Sequence, residues 1–120
     1  MAARATVSVC LVALSVAQAG SPCRGPAQLE AAAAADSRGG VWLKLGQWHA
    51  NRKQPFCAAE AFREAVKRNP LSVGARQALA LALLELGQTG EAELQLRQAI
   101  ESDPKFAPAF VNLGVLRQRQ

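Results

Sequence analysis

Pro70 and Pro104 lie 34 residues apart, and the residues before them keep the same interval. Ala58 recurs as Ala92, Phe62 as Leu96 and Ala65 as Ala99, with no insertion to disturb the register. A period of this length confines a chain to a stack of one repeated supersecondary unit. Within the first period, Trp42, Leu45, Gly46 and His49 fall at helical spacing, followed by Ala58, Phe62 and Ala65. In the second, Leu79, Ala80 and Leu83 are followed by Ala92, Leu96 and Ala99. Each unit therefore reads as two helices back to back, each with one apolar stripe. Neither helix hides its stripe alone, so successive units must stack. Small residues are expected where helices cross closely, and large ones between the crossings. Pro70 and Pro104 stop the second helix of each unit. Gly87 is expected to end a helix, and Thr89 to cap the next.

Composition agrees with helix. Half of the residues are hydrophobic, which excludes a fully disordered chain, and no Tyr occurs. Alanine and leucine dominate, and these favour helix over sheet.

The start Trp42-Leu43-Lys44-Leu45-Gly46, the middle Ala58 to Phe62 with Ala65, and the closing Pro70 resemble the tetratricopeptide repeat family. The resemblance covers residues 39–120. It implies an all-α fold of helix-turn-helix repeats forming a short right-handed α-solenoid. The repeats would span 39–72 and 73–106, with a partial third repeat or closing helix over 107–120 that begins Phe110, Leu113, Gly114, Arg117. Some residues depart from the family pattern. Arg76, His49 and Arg117 stand where an aromatic is usual, and Ala80 where Gly is common. Packing is expected to be weaker at these points.

Residues 1–19 form a separate segment. Arg4 precedes an apolar stretch from Ala5 to Ala17, and Ala17-Gln18-Ala19 is a small-x-small site. This is the three-part pattern of a secretory signal peptide. At ~1.5 Å per residue the stretch reaches roughly 20 Å, short of the ~30 Å of a bilayer core, so no stable membrane span is expected. Export to the cell exterior, the periplasm or the secretory lumen follows as the expectation. A buried N-terminal helix and a mitochondrial transit peptide are the alternatives. Arg4 alone is too little charge for the Arg-rich transit kind. Residues 20–38 read as a linker with a short alanine-rich helix that closes the array, or as a frayed tract cut off by Gly39-Gly40.

Cys10 lies inside the signal-like segment. Cys23 and Cys57 remain, an even pair that suits an oxidising compartment. They read either as a disulfide or as two unpaired thiols, with Cys57 serving as helix packing.

The residue inventory excludes several function classes. There is one His, and no HExxH, CxxC, GxSxG or phosphate-binding glycine loop occurs. No catalytic residue, metal site or cofactor is expected, and His49 reads as a packing residue. The net charge is +5, concentrated in the first unit, where Lys44, Arg52, Lys53, Arg63, Lys67 and Arg68 face only Glu60 and Glu64. That cluster suits an acidic partner or a solvated outer face. No aromatic platform interleaves it, so no nucleic-acid partner is expected.

The family resemblance implies a non-catalytic protein–protein interaction adaptor or scaffold with a concave groove lined by the first helix of each unit. Helical offset from the packing residues places Leu43, Gln47 and Asn51, then Gln77, Leu81 and Leu84, then Val111, Val115 and Gln118 on that side. Chaperone-binding members clamp a terminal carboxylate with Lys, Asn and Arg. Here Leu43, Gln47, Ala78, Pro108 and Asn112 occupy those places, so no carboxylate clamp for chaperone tails is expected. An apolar-amide groove suits an amphipathic helix or an apolar segment of a protein or peptide partner. The alternative is a truncated fragment or short isoform of a longer repeat protein with an incomplete binding surface. A third possibility is that residues 26–37 partly fill the groove themselves.

Overall fold

The computed structural model describes residues 23–105, together with Gly114 and Gln118. The signal-like segment 1–19 and the groove positions Val111 and Val115 lie outside the described residues, whereas Gln118 is helical and exposed. The described chain is helical: α1 (Ala27–Ala35), α2 (Gly40–Asn51), α3 (Pro55–Arg68), α4 (Val73–Glu85) and α5 (Thr89–Ser102). No strand occurs among the described residues. Each helix packs on the next one or on its repeat partner: α1 on α2, α2 on α3, α3 on α4, and α4 on α5.

Local chemistry sets the helix ends. Pro55 opens α3 at a position where the missing N–H costs nothing. Ser72 caps α4, its hydroxyl accepting from the Ala75 N–H at 3.2 Å. Gly87 closes the turn after α4 with a φ of 77°, in the left-handed region that favours glycine. Thr89 does not cap α5, contrary to the expectation. It is the first helical residue, and Gln88 precedes it as the flanking residue without a side-chain cap. The Gln88 N–H donates to the Leu83 carbonyl and its own carbonyl accepts from Ala92 N–H, so the boundary shifts by one residue.

Asp36 both ends α1 and starts α2. Its N–H donates to the Ala33 carbonyl. Its carboxylate accepts from Arg38 N–H at 3.0 Å and Val41 N–H at 2.7 Å, and its carbonyl accepts from Arg68 Nη1 at 2.6 Å. These backbone donors, Arg38 first and Val41 next, hold the Asp36 carboxyl below its usual pKa.

The core follows the 34-residue rhythm. Ala58, Ala59, Phe62, Leu79, Ala80, Leu83, Ala92, Leu96 and Ala99 form one buried cluster across α3, α4 and α5. A second cluster joins Ala33 of α1 to Leu45 and Ala61, with Leu29, Val41 and Trp42 around it. Close approach explains two glycines. A Cβ on Gly46 would stand 2.5 Å from Phe62 Cδ1, and one on Gly39 would stand 2.7 Å from the Ala65 carbonyl oxygen.

The departures at His49 and Arg76 are accommodated by side-chain amides. His49 is 1% exposed, and its Nδ1 lies 2.9 Å from Gln54 Oε1. Arg76 Nη1 donates to Gln95 Oε1 at 2.9 Å and Gln98 Oε1 at 2.7 Å. A polar pair thus replaces an aromatic contact without leaving a buried donor unmet.

Candidate functional site

The first helices α2 and α4 turn one stripe toward the core and leave another outside it. Leu81 stands out in that outer row at 44% exposure, because its neighbours Leu79, Ala80, Ala82 and Leu83 are all buried. Gln47 and Asn51 of α2 are exposed, and Gln77 of α4 is half-buried. Leu43 and Leu84 are half-buried and pack against the core cluster, so they serve packing as well as the outer face. None of these six side chains is ionisable. The face they form is apolar and amide-bearing, with Lys44 and Glu85 exposed as neighbours in sequence.

The second helices carry the charge, much of it already paired. Arg63 Nη2 lies 2.8 Å from Glu91 Oε2 across the seam between the units, and its Nη1 lies 3.0 Å from Glu60 Oε1. The Glu91 hydrogen bond, foremost, raises the Arg63 pKa above its usual value. Arg68 reaches Glu64 at 3.4 Å and lies over the Trp42 ring at 5.3 Å from its centre. The basic cluster of the first unit is thus less available to a partner than its sequence suggests.

Sequence reasoning left open the bridge at the other end of the molecule. Cys23 and Cys57 form a disulfide with Cα atoms 5.1 Å apart. It ties the chain before α1 to the first turn of α3. Beside it lies a cavity of about 670 Å³, walled by Cys23, Gly25 and Glu30 on one side and by Trp42, His49 and Cys57 on the other. The indole Nε1 of Trp42 is buried there without a hydrogen-bond partner. The signal for it in the sequence is the even pair of cysteines that remains beyond residues 1–19.

The tetratricopeptide repeat sequence profile matches residues 58–107 and 78–117, together half of the chain. The chain belongs to the tetratricopeptide repeat family. Among solved structures, "Crystal structure of MamA" is similar with a TM-score of 0.70 and 24% identity, over 76% of this chain and 54% of that one. "Crystal structure of MamA protein" is similar with a TM-score of 0.69 and 20% identity, over 75% and 50%. The likeness is one of fold, and the chain spans about half the length of these structures. No curated protein matches it. The all-helical repeat solenoid is thereby shown. The fold is that of a protein-interaction scaffold, and the family is in general one of non-enzymatic adaptors that bind protein partners. Among the described residues, no helix is long and apolar enough to cross a membrane.

Proposed function

We propose that the chain is a non-catalytic adaptor whose outer first-helix face receives an amphipathic helix or an extended apolar segment of a partner protein. The observation that carries this reading is Leu81, a large apolar side chain 44% exposed on a helix whose other leucines are buried or half-buried. Gln47, Asn51 and Gln77 give such a segment hydrogen-bonding amides for orientation. The absence of ionisable side chains among the six described positions argues against clamping a terminal carboxylate. Apolar contact would contribute roughly 25 cal/mol per Å² buried, before the costs of ordering and association.

The adaptor is proposed to act outside the reducing cytosol. The signal-like pattern of residues 1–19 and the Cys23–Cys57 bridge both support export. Two experiments test these readings. A photo-crosslinking side chain at position 81 should trap a discrete partner in native extracts, whereas one at Lys67, 79% exposed on a second helix, should not. Leu81→Glu should abolish capture while leaving helicity unchanged. Trapping from position 67 alone would overturn the groove. For export, N-terminal sequencing of the native protein should begin near Gly20, and an intact Met1 or Ala2 terminus on cytosolic protein would overturn it.

A further inference from the structure

We propose that the Cys23–Cys57 disulfide is a releasable latch on the N-terminal cap, and that Cys23 is the sulfur at which a small thiol attaches. This goes beyond the adaptor reading and does not depend on it.

Three observations converge on this latch. First, α1 itself packs lightly. Helix α1 is mostly alanine, its one buried residue is Ala33, and alanine supplies little apolar area. Among the described residues, the cap's fastenings include Leu29 at the edge of the cluster, the Gly25 backbone against Leu45, and the hydrogen bonds of Asp36 with Arg38, Val41 and Arg68. Second, the bridge is reachable. Both cysteines stand in the wall of the 670 Å³ cavity, large enough for a small thiol to enter. Third, the two sulfurs differ in exposure and setting. Cys57 is 6% exposed, whereas Cys23 is half-buried and lies outside any helix. Cys57 is the third residue of α3 and is fixed in the helix.

Those differences set the order of events. An incoming thiolate attacks Cys23 Sγ, forms a mixed disulfide there and expels the Cys57 sulfur as a thiolate at the start of α3. Attack falls on the more accessible of the two sulfurs. A second thiolate attacks the outer sulfur of the mixed disulfide and expels Cys23. Both cysteines end as thiol or thiolate, taking protons from water, and the two reductant thiols end joined as a disulfide. With the bridge open, the cap swings away and uncovers Val41, Trp42, Leu45 and Ala61, the apolar end of the first unit.

The test uses the purified full chain with Trp48→Phe, which leaves Trp42 as the single tryptophan, and with Cys10→Ser, which leaves Cys23 and Cys57 as the only cysteines. Brief treatment with 2-mercaptoethanol, followed by quenching with iodoacetamide and peptide mapping, should find the mercaptoethanol adduct on Cys23 and carbamidomethyl on Cys57. The reverse assignment would overturn the order of attack. Full reduction should red-shift the Trp42 emission and speed amide exchange across 27–41 by about tenfold or more, while exchange in α4 and α5 changes little. The Cys23→Ser, Cys57→Ser double variant should show the same pattern without reductant. Unchanged emission and exchange would overturn the latch. Equal acceleration through α4 and α5 would overturn it too, making the bridge a staple of the whole fold.

Discussion

Gly46 abuts the ring of Phe62, so that a Cβ at position 46 would enter the ring's volume. Phe62 is buried and sits in the main core cluster, so a shift of its ring would disturb its core neighbours. Gly46→Ala adds helix propensity worth up to ~1 kcal/mol but overpacks this contact by ~1–3 kcal/mol. The expected net effect is destabilisation. Gly74→Ala is the contrast, because a Cβ there meets nothing within 4 Å. It should stabilise, and urea melts of both variants decide the point.

Ala65 and Ala99 should show the same intolerance. Each is about 1% exposed or less. Replacing either by Leu should cost ~1–3 kcal/mol through forced backbone movement. Ala31→Leu, on the exposed side of α1, should cost little. Equal losses in thermal denaturation for all three would contradict the packing described above.

Arg63 and Glu91 link the two units at their surface. Their side chains are 39% and 38% exposed, so water screens the pair. A double-mutant cycle of Arg63→Ala with Glu91→Ala should give a coupling of ~0.2–1 kcal/mol, smaller at high salt. Charge reversal at Arg63 would repel both Glu60 and Glu91, so it should lower stability. That makes Arg63 a poor control in binding experiments, and Lys67 the better one.

Asp36 should make the cap sensitive to acid. Its folded pKa lies below the ordinary 3.8 because Arg38 and Val41 N–H groups bind the carboxylate. A depressed pKa contributes stability above the unfolded value, and this is lost as pH falls through the folded value. Asp36→Asn should therefore differ from the native chain by a constant amount at neutral pH. The difference should shrink below about pH 4, read by urea unfolding across a pH series.

The repeat fold is legible in the sequence because its packing rests on residue size at fixed intervals. Glycine and alanine at crossings and leucine between them can be read without coordinates. What escapes such reading is contact between residues far apart in sequence and not in the apolar pattern. Arg63 looks like part of a free basic face, yet Glu91 meets it from the next unit. Arg76 looks like a packing defect, yet Gln95 and Gln98 receive it. Leu43 and Leu84 look like groove residues, yet they also touch the core, because a helix as narrow as α2 or α4 shares its flanks between two faces. The cysteine pairing is not legible in the sequence, because Cys23 and Cys57 also read as two unpaired thiols.

The bridge has a consequence for how such a gene can grow. Repeat arrays lengthen by copying a unit in frame. Residues 73–106 contain no cysteine, so a tandem copy of them would add a rung and leave the oxidised pair alone. A copy of residues 39–72 would bring a second Cys57, and two equivalent thiols would then compete for Cys23. One of the two products would pin the N-terminal segment to the wrong rung. The chain is thus freely extensible at its second unit and restricted at its first.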